Sequence, residues 1–387
     1  MQRGLCGTYE ITRISGEEVR AFIPRDLPPV PSLELTHDRQ CLLERATLAL
    51  GKLDSIALLL PDPNIFLYAY VRREALLSSQ IEGTQSSLSD LLLFEIDEPA
   101  GVPLDDVAEV SSYVSAMDHG MKRLAEGFPL SNRLLREMHA KLLARGRGSD
   151  TCTGEFRKTQ NWIGGTRPGN AHFVPPSPQH LQACMSALEQ FLHDKRQPYP
   201  VVVKAALAHV QFETIHPFLD GNGRMGRLLI AFILHHDGIL TRPLLYLSLY
   251  FKLNRSRYYA LLDRVRLKGD WESWLDFFLT GVETTANNAV QTAQRLITLF
   301  KQDEATIKSM GRISGSALRV FTLFCQQPIL TLNRAASTTG LSFPTVSKSM
   351  NVLVKSGILR ELTGKHRNRV FAYARYIDVL NEGTEPL

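Results

Sequence analysis

The sequence predicts a mainly helical chain that bears one β-hairpin flap and ends in a winged helix-turn-helix. Three observations lead there. Apolar residues recur at helical spacing through most of 38–302. One segment, 154–178, breaks that period with Trp162, Gly164, Gly165, Pro168, Gly169, Asn170, Pro175 and Pro176, as two extended pieces around a turn would. After Gly311 the order becomes helix, helix, Gly340 turn, Ser/Thr-rich helix and basic-tipped hairpin.

Taken in order, residues 1–37 are rich in proline (Pro24, Pro28, Pro29, Pro31) and read as an extended arm lying on a surface. Residues 38–110 form a helical region whose second helix stops at Gly83. A helical core occupies 111–270, with patterns at 105–124, 131–144, 178–195, 201–215, 223–236 and 255–267. A connecting helix covers 271–310, and the winged module 311–387. The 154–178 hairpin is the one β element expected before residue 310.

Composition narrows the function. The chain has 387 residues, 44% hydrophobic and 21% charged, as a soluble folded protein does. Neither an apolar run long enough to span a membrane nor a signal-peptide core is present, and the five cysteines include no Cys-x-x-Cys pair. A reducing cytoplasm is the expected location. The net charge of +5 is unevenly placed: from Arg312 to Arg375 ten cations face the single acid Glu361, so the remainder of the chain is net acidic. Any polyanion partner is expected at 311–387, where the wing carries Lys365, Arg367 and Arg369, though a protein contact fits the same surface.

The densest chemistry lies in His216, Pro217, Phe218, Leu219, Asp220, Gly221, Asn222, Gly223, Arg224, Met225, Gly226 and Arg227, at the end of an apolar helix. Gly221, Asn222 and Gly223 permit a sharp turn that aims backbone N–H groups, and the positive end of the next helix, at a phosphate. Arg224 and Arg227, three apart, can clamp further phosphates from one side. Asp220 offers a hard oxygen to Mg²⁺, and His216 can take a proton near neutral pH. These parts suit in-line transfer of a phosphorus group to a hydroxyl; no P-loop or kinase glycine loop is present. The cluster His235, His236, Asp237 reads as a polar helix end, and His209 as packing or support for the site.

The run from His216 to Arg227 resembles the Fic-domain signature His-x-Phe-x-Asp/Glu-Gly-Asn-Gly-Arg-x-x-Arg at every fixed position, and the resemblance covers about residues 35–270. It implies transfer of AMP from ATP to a Ser, Thr or Tyr hydroxyl of a target protein and of the chain itself, with pyrophosphate leaving. It implies His216 as general base and Asp220 as the Mg²⁺ ligand. The nucleotide would lie along Gly221, Asn222, Gly223, Arg224, Met225, Gly226 and Arg227, with flap residues Trp162, Ile163 and Gly164 and the pair Tyr258 and Tyr259 also at the ATP site.

Ser78-x-x-x-Glu82-Gly83 resembles the family's inhibitory motif, which implies that Glu82 pairs with Arg227 and displaces the γ-phosphate. Relatives that transfer phosphate depart from Gly-Asn-Gly-Arg at its third position, where Gly223 is retained; removal of AMP through Glu82 stays open. A homodimer is compatible with the resemblance, and no membrane contact is expected. The alternative reading is a DNA-binding regulator whose Fic-like domain senses nucleotide.

Overall fold

The computed structural model describes all residues except 15, 60–62, 97–103, 147–151, 197–198, 365–368 and 386–387; the wing-tip residues Lys365, His366, Arg367 and Asn368 thus lie outside the described residues. The chain opens with β1 (Gly7–Ile14) and β2 (Glu17–Pro24), followed by α1 (His37–Leu59), α2 (Pro63–Ile81), α3 (Leu88–Phe94), α4 (Leu104–Ala125) and α5 (Asn132–Leu142). Then come α6 (Pro178–His193), α7 (Val201–Ile215), α8 (Asn222–His236), α9 (Ser248–Leu253), α10 (Arg255–Lys268) and α11 (Trp271–Lys308). The last part is α12 (Ser314–Gln326), β3 (Ile329–Thr331), α13 (Leu332–Thr339), α14 (Phe343–Lys355), β4 (Arg360–Glu361), β5 (Val370–Ala372) and α15 (Ala374–Asn381). Two compact units divide these elements: residues 1–51 with 112–286, and residues 52–111 with 287–387.

In the first unit α7 is the central rod. Every residue from Val202 to Ile215 is buried, so its polar groups find partners inside. The Lys204 ammonium reaches Asp237 at 2.8 Å, the Thr214 hydroxyl donates to the Val210 carbonyl at 2.8 Å, and the Gln211 amide donates to the Arg25 carbonyl at 3.0 Å. Helix α8 packs along α7 closely enough that a Cβ at Gly226 would stand 2.3 Å from Glu213 Oε1, an approach only glycine permits. The Trp274 indole N–H of α11 donates to the Ala206 carbonyl at 2.9 Å, tying a third helix to the rod.

The N-terminal segment departs from expectation. Residues read as an unpaired arm form the antiparallel pair β1–β2, with Gly7 opposite Pro24 and Ile14 opposite Glu17. Val19 and Ala21 face inward and pack with Val174, while the Phe22 N–H donates to the Val174 carbonyl at 2.9 Å. The two strands come from one local segment, whose pairing the prolines of 24–31 obscure in the sequence, and the inner face of β2 is covered by Val174, some 150 residues away. The expected flap is present in reduced form: Ile163 and Phe173 exchange both backbone hydrogen bonds, at 2.8 and 3.1 Å, around a 3-10 turn at Pro168–Asn170. The Arg167–Glu17 ion pair at 2.7 Å and the neighbouring Phe22 and Phe173 rings brace it against the N-terminal hairpin.

In the second unit α2 lies against α3, α12 and α15. Arg72 pairs with Glu95 at 2.9 Å. The Arg73 guanidinium donates to the Glu382 carbonyl at 2.5 Å, and the Gln80 amide to the carbonyls of Thr384, at 2.9 Å, and Ser86, at 3.1 Å. Helix α2 stops where Gly83 adopts φ +103°, as the sequence predicts. The C-terminal elements include a three-stranded antiparallel sheet ordered β3-β5-β4.

Candidate functional site

The site begins where α7 ends. His216 caps that helix in the left-handed region, φ 50° and ψ 61°, and is the one non-glycine residue with positive φ among the described residues. Such a conformation costs about 1–2 kcal/mol, so something must hold it. Arg157 does. Its guanidinium donates to the carbonyls of His216 (2.9 Å), Pro176 (2.5 Å), Ile215 (3.4 Å) and Thr159 (3.2 Å), and its own N–H donates to Pro217 O (2.9 Å). Burial among carbonyls lowers its pKa to about 10, still protonated at neutral pH. His216 itself is partly buried, with its Nδ1 enclosed.

The loop that follows is fastened from three sides. The Asn222 carboxamide accepts from the Phe218 N–H and donates to the Phe218 carbonyl, both at 2.8 Å, which closes the turn on itself. The Asn161 amide donates to the carbonyls of Phe218 (3.1 Å) and Leu219 (3.2 Å), linking loop to flap. His139 of α5 accepts the Gly154 N–H on Nδ1 at 2.9 Å, so its proton sits on Nε2 and is donated to the Asp220 carbonyl at 3.0 Å. The same ring lies flat on Phe218, centroids 3.7 Å apart at 4°.

Gly221 then turns left-handed at φ 75° and α8 starts. Its first-turn N–H groups, at Asn222 and Gly223, have no carbonyl behind them in the helix and point out of its N-terminus, the preferred place for an anion. Arg224 and Arg227 are both almost wholly buried on this helix, 2% and 4% exposed, while the Asp220 carboxylate is nearly half exposed, accepts the Gly221 N–H at 2.6 Å and stands 3.9 Å from Arg224. One helix thus carries both buried guanidiniums and the open N-terminus that follows the turn.

Several expected contacts find other employment. The Asn222 side chain is spent on Phe218, so backbone N–H groups rather than its amide are what the turn offers a phosphate. Met225 is fully buried, and Gly226 serves the α7–α8 contact, so neither side of that pair faces a nucleotide. Tyr258 is 1% exposed, its hydroxyl hydrogen-bonded to His209 Nε2 at 2.8 Å, and is a core residue rather than an adenine contact; Tyr259 is 41% exposed and remains accessible. His209 is indeed support: its Nδ1 bonds Gly226 O at 2.9 Å. On the flap Trp162 is 36% exposed, Gly164 turns left-handed at φ 70°, and Ile163 makes the bridge. In the second unit Ser78 is buried on α2, and Glu82 follows its last turn with its N–H on the Ser79 carbonyl.

His139 and Arg157 were not singled out in the sequence. For His139 a signal existed: it shares the apolar face of α5 with Leu135, Met138 and Leu142, where a polar residue calls for explanation. Burial holds its pKa down to about 4, and burial holds that of His209 down to about 3. Both rings are neutral in the fold and gain a proton on unfolding below about pH 6.5, so stability is full above that value and falls as pH drops toward the folded pKa. Each ring contributes a slope of about 1.4 kcal/mol per pH unit between pH 6 and 5. Urea unfolding midpoints across that window should show it, and His139→Gln should remove about half of the pair's contribution; an unchanged slope would contradict the neutral assignment.

Residues 129–234 match the Fic/DOC family, and residues 41–122 the Fic/DOC family N-terminal region. Protein adenylyltransferase Fic of Drosophila grimshawi is 32% identical over 187 residues, 48% of this chain and 35% of the relative. The protein of the same name from Drosophila melanogaster is 30% identical over the same length and the same shares. The chain thus spans about a third of the length of these curated relatives. Among solved structures, a Fic family protein from Desulfovibrio desulfuricans G20 superposes with a TM-score of 0.58 at 18% identity, covering 90% of this chain and 98% of that one. A Fic domain-containing signaling protein from Bacteroides thetaiotaomicron VPI-5482 gives 0.51 at 21%, covering 64% of this chain and 95% of that one. These two likenesses are of fold.

The mainly helical Fic fold expected from the sequence is therefore present. No helix among the described residues is long and apolar enough to cross a membrane.

Proposed function

We propose that the chain is a protein adenylyltransferase that moves AMP from ATP to a Ser, Thr or Tyr hydroxyl of a target protein and of itself. The observation that carries the reading is the fastened turn from His216 to Asn222, which joins the histidine that ends α7 to the open N-terminus of α8, the helix that carries two buried arginines. The naming of the Drosophila relatives as adenylyltransferases points the same way.

In this reading the N–H groups of the α8 first turn hold the α-phosphate, and Arg224 and Arg227 hold the outer phosphates. His216 takes the proton of the incoming hydroxyl as its oxygen bonds to the α-phosphorus and the bond to the β-phosphate oxygen breaks, releasing pyrophosphate. The flap, whose outer segment is braced by β2, lines up the target backbone by strand addition. Asp220 suits Mg²⁺: one oxygen accepts from Gly221, the carboxylate is partly open, and a lone carboxylate is the usual protein share when phosphates supply the other ligands. Bound there, the ion would neutralise phosphate charge. Glu82 would restrain the reaction by occupying Arg227. A cytoplasmic location completes the proposal.

The test is isotope bookkeeping. With the Glu82→Gly chain, label from α-labelled ATP is expected to stay on protein after denaturation and label from γ-labelled ATP to leave. Retained γ label would mean phosphate transfer, and no retained label of either kind, on the chain or on lysate proteins, would favour a nucleotide-sensing domain.

A further inference from the structure

The surface formed by α13 and α14 is charged in one sense only. From residue 305 to residue 360, 56 residues contain no Asp or Glu, in a chain where one residue in ten is acidic, yet Lys308, Arg312, Arg319, Arg334, Lys348, Lys355 and Arg360 fall within that stretch. A solvated protein surface normally mixes signs, and absence of acids over several elements is the composition of a polyanion-facing surface.

Geometry adds direction to the charge. Helix α13 is capped at its start by the Thr331 hydroxyl, which accepts the Arg334 N–H at 3.2 Å, and ends at Gly340 in the left-handed conformation, φ 65°. Three residues later, at Phe343, α14 begins. Its inner face, Val346, Ser349, Met350 and Leu353, is buried against α12, where the Ser349 hydroxyl meets Ser316 at 3.0 Å. What remains outside is polar and cationic: Ser342 and Thr345 at the start, then Lys348 and Lys355, with Arg334 exposed on α13. Phe343, 49% exposed, stands at the tip.

We propose that this surface binds B-form DNA, with α14 entering the major groove by its N-terminal end. That groove admits a helix, and the helix end that reads it here carries hydroxyls able to hydrogen-bond base edges and an aromatic ring suited to a thymine methyl. Arg334, Lys348 and Lys355 flank it and reach phosphates. An A-form RNA duplex, whose major groove is deep and narrow, does not accept the helix. The inference is independent of the transfer reaction.

The test uses the full chain and a fluorescein-labelled 30-base-pair DNA duplex of random sequence, followed by anisotropy between 50 and 200 mM salt. Binding is expected at 50 mM and should weaken on the order of 100-fold by 200 mM, as four or so phosphate contacts require. Lys348→Ala and Arg334→Ala should each flatten the log–log salt slope by about one, while Lys308→Ala, a same-charge change on α11, leaves it unaltered. No binding at 50 mM, equal competition by an RNA duplex of the same length, or identical behaviour of Lys348→Ala and Lys308→Ala would overturn the proposal; the last two would indicate charge attraction without groove recognition.

Discussion

Replacing His216 is expected to lower AMP transfer about 100- to 10,000-fold, the range for loss of a positioned general base, while leaving nucleotide binding nearly intact. The separation follows from the site's construction. The parts proposed to hold phosphate, the first turn of α8 with Arg224 and Arg227, belong to one helix, and the imidazole belongs to the residue that ends another. The choice of variant matters because His216 sits at φ 50°. Alanine would lose the base and also strain the backbone; asparagine tolerates the left-handed region and loses only the base. His216→Asn in the Glu82→Gly background should therefore show the wild-type thermal shift with ATP and almost no incorporation of α label in a single turnover. If it keeps more than a tenth of the rate, another group takes the proton.

How readily each part of the site can be read from sequence depends on where its partners lie. The turn from His216 to Arg227 is legible because a base, an acid, an amide, three glycines and two cations are crowded into twelve residues, a composition that folding alone does not reward. The helices are legible for a similar local reason, since a buried stripe repeats every three or four residues. What is not legible depends on distance along the chain. Arg157 holds the His216 carbonyl from 59 residues away, His139 holds the Asp220 carbonyl from 81, and β2 meets Val174 from across half the unit. Tyr258 illustrates the opposite error: an aromatic beside Tyr259 looks like a base-stacking pair, but on a helix adjacent residues face different ways, and Tyr258 faces His209 in the core.

Glu82→Gly is the second large effect, expected to raise self-labelling about 10- to 100-fold. Under the proposed restraint, a charge-assisted contact from Glu82 to a guanidinium would contribute about 1.5–3 kcal/mol, and its loss would free Arg227 for the γ-phosphate to a corresponding degree. The structure supplies a way to tell this from a general loosening. Helix α2, which ends one residue before Glu82, is staked within its own unit by the C-terminal segment: Arg73 on the Glu382 carbonyl and Gln80 on the Thr384 carbonyl. Truncation after Asn381 removes both stakes, and α2 should hold Glu82 in place less of the time, raising labelling a few-fold. If restraint acts through Glu82 alone, the truncation must add nothing once Glu82 is glycine, because two changes to one contact are not additive. Intact-mass analysis of the four chains after incubation with ATP and Mg²⁺ measures the cycle. A truncation that still multiplies labelling in the Glu82→Gly chain would separate the C-terminal segment from the glutamate, and no rise with Glu82→Gly would remove the inhibitory role from α2 altogether.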